Sequence, residues 1–292
     1  MQRRTLEGSL GLHVHFSHEH FARKRVGEIK RGGESHVVKK SEPDAFNFTK
    51  IPEEEVLYEL EMSSKSISVI ACASPLLPGH VLFVPERSRE LPQVLTPDLL
   101  LIGLQLLLES SRKDFRLVFN SLGGYASVNH FHFHGLYLDA MERLPVEYAQ
   151  RSRLGGARGE LLVEILVDTA WFCRGLVLSA GDLEALALFG GRVLQHLQAE
   201  DLAHNLMLAP GRKEKEAPMI YLFPRQWEEK VREKPGFNAA ILEIAGLLFA
   251  HDEERFKNFD EDQVVEIFRE DVSLSSDDFD NLLCKIAWLV AT

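Results

Sequence analysis

Three histidines alternate with two phenylalanines in His130-Phe131-His132-Phe133-His134. An imidazole titrates near neutral pH, so it can attack, accept a proton or hold one under physiological conditions. Side chains at i, i+2 and i+4 of a strand share one face, roughly 6–7 Å apart per step. The alternation therefore predicts a strand with three imidazoles on one face and Phe131 and Phe133 turned into the core. Three readings fit such a row. The first is a polar face that happens to be rich in histidine. The second is a metal site, because imidazole is a good ligand for zinc or copper. Two alternate histidines could share a metal, but the third is too far without help, so His80, His13 or His204 would have to complete the set. The third is nucleophilic catalysis, in which a neutral imidazole attacks phosphorus and forms a phosphoramidate. That chemistry needs a partner on the other ring nitrogen to fix the tautomer, and N–H or cationic donors around the phosphate oxygens.

The residues just upstream favour the third reading. "NSLGGYAS" sets Asn120, Gly123, Gly124 and Ser127 before the first histidine. Glycines let a backbone approach an anion and turn its amides towards it. A phosphate needs such a loop, and a zinc cage does not. Arg225 ends the predicted strand "YLFPRQ" and is a candidate phosphate contact, with simple solvation as the alternative. Arg87 is similar, whereas Arg89 reads as surface. Lys50 either anchors a nucleotide or flanks a turn. His204 reads as a structural histidine. His13, His15, His18 and His20 in "HVHFSHEH" mimic a metal cluster, but they lie in weakly patterned sequence and read as incidental. No metal and no cofactor is expected.

The elements that must position these groups can be sketched from patterning. Strands are predicted at 67–73 and 80–85, joined by a Pro-rich turn. Thr96 is a good N-cap and Pro97 suits the first helical position, so a helix should run to Glu109. "FRLVFNSLGG" and "VNHFHFHGLYL" read as the next two strands. The second half repeats this order: "AWFCRGLVLSA" as strand, "GDLEALALFGGRVLQHLQAEDL" as helix, then "AHNLMLAPG" and "PMIYLFPRQ" as strands. Four segments follow. Residues 1–45 form a basic arm, 46–150 a first half carrying the histidines, 151–233 a second half, and 234–292 an acidic helical segment packed on the core. In that last segment "FNAAILEIAGLLFAH" and "DEDQVVEIFREDV" are the clearest helices, and "SLSSDDFDNLLCKIAWLV" opens with a serine-rich cap.

The chain has 292 residues and a formal net charge of -11, which disfavours nucleic acid or an anionic membrane as partner. Its three cysteines, Cys72, Cys173 and Cys284, sit in apolar sequence with no CxxC and read as free thiols in the cytoplasm. The first residues lack the apolar core of a signal peptide, and no stretch approaches a membrane span.

The histidine row resembles the histidine-triad motif, His-φ-His-φ-His-φ with φ hydrophobic. "PLLPGHVLFVPERSREL", the Asn120 of "VFNSLGG" and the Ser127 of "ASVNH" resemble the same superfamily in the same order. Two similar halves in one chain look like its nucleotidyltransferase branch rather than its small dimeric hydrolases. "FNFTKI", "LGGYASVNHFHFHGLYL", "RLPVEY" and "FNAAILEIAG" resemble the GDP-D-glucose phosphorylases, a family related to the plant GDP-L-galactose phosphorylases. The resemblance covers roughly residues 46–290, thinly across 149–170 and the acidic tail. It implies an α+β histidine-triad (HIT-like) fold, with two pseudo-repeats in one chain, an antiparallel sheet and helices packed on one face. It implies GDP-D-glucose and inorganic phosphate as the substrates of a ping-pong phosphorolysis, in a monomer or homodimer. His132 matches the nucleophile. His130 and His134 would orient it and contact the phosphates, His80 would lie nearby, and Asn120 and Ser127 would donate to phosphate oxygens. Guanine and glucose specificity rest wholly on this resemblance. In the uridylyltransferase and plant branches glutamine replaces the third histidine. His134 therefore leaves open a nucleotide-phosphoramidate or dinucleoside-polyphosphate hydrolase. A non-catalytic nucleotide-binding regulator is the remaining alternative, against which an intact triad and loop argue.

Overall fold

Short runs of β-branched and aromatic residues, broken by Gly, Pro and Ser turns, build the strands at the centre of this chain. The computed structural model describes residues 1–17, 37–40, 42, 44–139, 141–154, 161–211, 216–230 and 236–291. His18, His20 and most of the basic stretch after them lie outside the described residues.

Ten strands form one antiparallel sheet: β3 (Val56–Met62), β4 (Lys65–Ala71), β5 (Val81–Pro85), β6 (Phe115–Asn120), β7 (Phe133–Tyr137), β8 (Arg151–Arg153), β9 (Leu162–Leu166), β10 (Leu176–Ser179), β11 (Ala203–Ala209) and β12 (Met219–Arg225). Their spatial order is β3-β4-β5-β7-β6-β11-β12-β10-β9-β8. The order mirrors itself about the β6–β11 pair, where Asn120 faces Asn205 and Leu117 faces Leu208. Each side repeats strand, helix, strand, strand. On one side these are β5, α1 (Pro97–Glu109), β6 and β7; on the other, β10, α2 (Leu183–Ala199), β11 and β12. The chain therefore holds two pseudo-repeats joined edge to edge in a single sheet, as expected.

Helices α1 and α2 start where their caps dictate. Thr96 Oγ1 accepts from the Leu99 N–H, and the Asp182 carboxylate accepts from the Glu184 and Ala185 N–H groups. They pack on one face of the sheet, where α6 (Ser276–Ala291) adds Phe279, Leu282, Ile286 and Val290 to the same core. Phe131 and Phe133 point into this core, so the alternation assigned their side correctly.

The opposite face differs from the expectation of helices on one side only. It is covered by a second, three-stranded sheet, β1 (Gln2–Thr5), β2 (His13–Phe16) and β13 (Leu247–Phe249), and by α3 (Ile241–Ile244), α4 (Glu253–Asn258) and α5 (Glu261–Ile267). These bury Val118, Leu136, Leu138, Met207 and Tyr221. The stretch read as an arm thus begins as a hairpin, and its further partner β13 lies more than 230 residues away, where no local pattern shows it. "FNAAILEIAGLLFAH" is helical for four residues only: Gly246, at φ +98, turns the chain, and Leu247–Phe249 pair with β2. Of the cysteines, Cys173 is buried, Cys72 is half-buried against an apolar cluster and Cys284 is exposed. No helix among the described residues is long and apolar enough to cross a membrane.

Candidate active site

The predicted strand through all three histidines is shorter than its alternation suggested. β7 begins at Phe133, and its ladder with β6 ends at the Val118–His134 pair. His130 and His132 lie just ahead of it, outside any strand. The faces nevertheless continue. The His132 and His134 rings are 4.9 Å apart, and Phe48 packs 5.4 Å from His130 and 5.0 Å from His132. His130 is fully buried and His132 is 3% exposed.

Each tautomer follows from a partner that can act in only one way. His132 Nδ1 lies 2.8 Å from the carbonyl oxygen of His130. A carbonyl only accepts, so Nδ1 carries the proton and Nε2 keeps its lone pair. The backbone N–H of Phe48 donates to His130 Nδ1 over 3.0 Å, so His130 is protonated at Nε2. That N–H is buried and has no partner. The Leu76 N–H donates to His80 Nδ1 over 3.1 Å, so His80 Nε2–H donates to His134 Nδ1, 3.0 Å away. His134 is left protonated at Nε2. One ring offers a lone pair, and two offer fixed N–H donors.

All three rings are neutral at physiological pH. Burial pulls His130 down to about 4, helped by His132 and by the charge of Arg87. Burial pulls His132 to about 4, against a smaller upward pull from its bond to the His130 carbonyl. Burial, with His132 and His80 as neighbours, holds His134 well below the ordinary value. A buried imidazole kept neutral suits a nucleophile.

Beside the triad, polar side chains run across the sheet. Extending the β6–β7 register places Asn120 opposite His132. The Asn120 side-chain oxygen accepts from Asn205 Nδ2 at 2.5 Å and from the Ile241 N–H at 3.2 Å. Asn205 Oδ1 accepts from Arg225 at 3.2 Å. Arg225 is buried, not solvated; its guanidinium also donates to the carbonyls of Ala239 and Gln226, and one terminal nitrogen, Nη2, has no partner. Burial lowers its pKa.

The Gly-Gly loop is tightly packed. Gly123 has φ +73, and a Cβ there would fall 2.3 Å from the Trp227 ring. A Cβ on Gly124 would fall 2.9 Å from the His204 carbonyl, and the Gly124 N–H is already bonded to Ser121 O at 3.0 Å. These glycines are required first by packing, and the Gly124 amide is committed to its own turn. Ser127 is exposed in the same loop. Arg87 lies 3.7 Å from Glu53 and 3.9 Å from Glu59, Arg89 pairs with Glu86, and Lys50 donates to the Ala45 carbonyl. The Nδ1 of His204 donates to Leu202 O and its ring stacks on Phe119, on the helix side of the sheet, while its buried Nε2 has no partner among the described residues. His13 belongs to the other sheet. Neither can complete a metal set with the triad, and among the described residues no group of three His, Cys, Asp or Glu could hold a metal ion.

Sequence reasoning passed over Phe48, Asn205 and Gln93. Phe48 stands in the quoted block "FNFTKI" without a role assigned to it. Asn205 is the partner of Asn120 across the two halves, a relation that only strand pairing reveals. Gln93 is a buried amide in an irregular loop, where no local pattern signals it.

Comparison with known proteins gives consistent matches. Residues 1–136 match the family model "GDPGP1-like, N-terminal domain", and residues 145–291 match "GDPGP1-like, C-terminal domain". GDP-D-glucose phosphorylase 1 of Bos taurus is 34% identical over 282 residues, covering 91% of this chain and 71% of its own length. The Homo sapiens protein of the same name is 32% identical, covering 92% and 72%. GDP-L-galactose phosphorylase 2 of Arabidopsis thaliana is 26% identical, covering 95% and 68%. Among solved structures, yeast Ap4A phosphorylase Apa2 superposes with a TM-score of 0.62 at 17% identity, covering 94% of this chain and 88% of that one. At that identity the last match speaks for the fold alone.

Proposed function

This chain belongs to the GDPGP1-like family, and from that premise we propose that it is a nucleotidyltransferase, a GDP-D-glucose phosphorylase that works through a guanylyl-histidine. His132 Nε2 attacks the α-phosphorus of GDP-D-glucose. A P–N bond forms as the bond from the α-phosphorus to the bridging oxygen breaks, and D-glucose 1-phosphate leaves. An oxygen of inorganic phosphate then attacks the same phosphorus, the P–N bond breaks, and GDP leaves with His132 restored. Splitting the transfer in two lets one buried site serve both acceptors in turn.

The observation that carries this reading is the bond from His132 Nδ1 to the His130 carbonyl, which leaves Nε2 as the free base. It also stabilises the ring once Nε2 is phosphorylated, because the positive charge then developing on the imidazole faces a carbonyl oxygen. His130 and His134 supply neutral Nε2–H donors to the phosphoryl oxygens. The unpaired buried N–H of His130 supports that role, since such a donor costs about 1–3 kcal/mol until it finds an acceptor. His80 acts through His134. Asn120 and Arg225 belong to the polar row beside the nucleophile and would bear on the sugar-phosphate or acceptor side. The free cysteines suit a cytoplasmic setting.

Two measurements test this. GDP-D-glucose consumption should require inorganic phosphate and yield GDP; equal consumption without phosphate, yielding GMP, would leave a hydrolase in its place. His132→Asn should abolish turnover while nucleotide binding persists; surviving turnover removes His132 as nucleophile.

A further inference from the structure

His132 has no strand neighbour to hold its backbone, because the β6–β7 ladder stops two residues short of it. A side chain occupies the vacant place. Gln93, 1% exposed, lies in the loop before α1 with its amide between the main chains of His132 and Asn120. Gln93 Oε1 accepts from the His132 N–H at 2.9 Å. Gln93 Nε2 donates to the carbonyls of Asn120 at 3.0 Å and of His132 at 3.3 Å. A primary amide offers the same donor and acceptor as a peptide group, so it can stand in for one rung of a ladder.

The loop carrying Gln93 is itself anchored to the triad segment. The Gln93 N–H donates to Asn129 Oδ1 at 3.0 Å, and the Phe131 N–H donates to the Leu91 carbonyl at 2.6 Å. Asn129 Nδ2 reaches on to the carbonyls of Lys39 and Lys40. Residues 129, 131 and 132 are thus set by contacts to this loop, and His130 by the Phe48 N–H, rather than by strand pairing.

We infer that Gln93 is a positioning residue for the nucleophile, its amide substituting for the strand that His132 lacks and fixing where Nε2 points. The insertion also has a steric reason. With an amide wedged between them, the ends of β6 and β7 cannot close, so the His132 backbone stays apart from Asn120 while both remain rigidly referenced to one group. This inference rests on the reading of His132 as nucleophile.

The test separates kcat from KM. Gln93→Ala removes one acceptor and two donor bonds, and the small reorientation of His132 that follows should lower kcat ten- to a hundredfold. KM for GDP-D-glucose should stay within about twofold, because Gln93 makes no contact with the polar row except through backbone. Single-turnover labelling of the protein from GDP-D-glucose radioactive at the α-phosphate should slow by the same factor as kcat. Gln93→Glu adds a pH signature. Its ionised carboxylate accepts from His132 but faces two carbonyls without a donor; protonation restores one donor. Its kcat relative to the parent should therefore rise as pH falls from 8 to 6.5. An unchanged kcat in Gln93→Ala, or a KM rise that accounts for the loss, overturns the inference, and so does a pH-independent ratio for Gln93→Glu. If Gln93→Ala does not fold, Gln93→Met keeps the volume without the hydrogen bonds and is read the same way; if neither folds, the Gln93→Glu ratio decides. His132→Asn is run alongside. Turnover surviving in that variant means the nucleophile reading has failed, whereas an inactive His132→Asn beside a fully active Gln93→Ala means only the positioning role has.

Discussion

Lowering the pH should unfold this protein before it titrates His132. His15, His130, His132 and His204 are all buried, and burial holds each at about 4 instead of 6.5. In the unfolded chain they return to the ordinary value and take up protons as pH falls below 6.5, while the folded state refuses them until about 4. Stability is therefore full above 6.5, falls through that window and levels off below it. At pH 5 each ring costs the fold roughly 2 kcal/mol, from the difference in protonation between the two states. Four rings give roughly 8 kcal/mol, somewhat less where water reaches them, and a domain of this kind has about 5–15 kcal/mol in all. The expected outcome is an acid transition centred near pH 5. GDP-D-glucose turnover and far-ultraviolet circular dichroism, followed in the same buffers from pH 8 to 4, should fall together. Activity lost with a midpoint near 6.5 while the dichroism stays native would mean that His132 titrates as an ordinary imidazole. A native signal persisting to pH 4 would mean that the four rings are not held neutral by burial. Either result refutes the reasoning.

Two further outcomes follow from the same contacts. In the proposed mechanism His134 acts through an Nε2–H whose tautomer is set by His80, and a glutamine can take the His80 proton on its oxygen and present its own N–H in the same direction. His134→Gln should keep kcat within about tenfold, whereas His134→Phe, with no donor, should lose a hundredfold or more, read in the same phosphate-dependent assay. At Gly123, φ +73 and a Cβ position 2.3 Å from Trp227 leave no room for a methyl group. Gly123→Ala should cost about 2–4 kcal/mol in urea unfolding; a loss under 0.5 kcal/mol would show that the loop can shift away from the ring.

Much of the candidate site's layout was legible locally. Alternation placed Phe131 and Phe133 in the helix-side core and the histidines on the other side, because side-chain direction in an extended chain has period two whether or not the strand is paired. Thr96 and Asp182 marked their helices, since a cap acts over three residues. The repeated strand–helix–strand–strand order announced two halves. What lay beyond sequence was every property set by a partner far along the chain. The hairpin of residues 2–16 pairs with β13, and the His132 N–H just ahead of β7 is bonded to Gln93, both far away in sequence. Arg225 looked like a strand-end cation and is buried against Asn205 and Ala239. The glycines that read as a phosphate cradle are held small by Trp227 and by the His204 carbonyl. The tautomers were the last to be decided. His130, His132 and His134 are chemically identical in sequence, and only three contacts, a Phe48 N–H, a His130 carbonyl and the His80 ring, divide them into one lone pair and two donors. Periodicity reports which side of the chain is buried; which atom of a ring carries the proton depends on a hydrogen-bond partner that only tertiary packing brings within 3 Å.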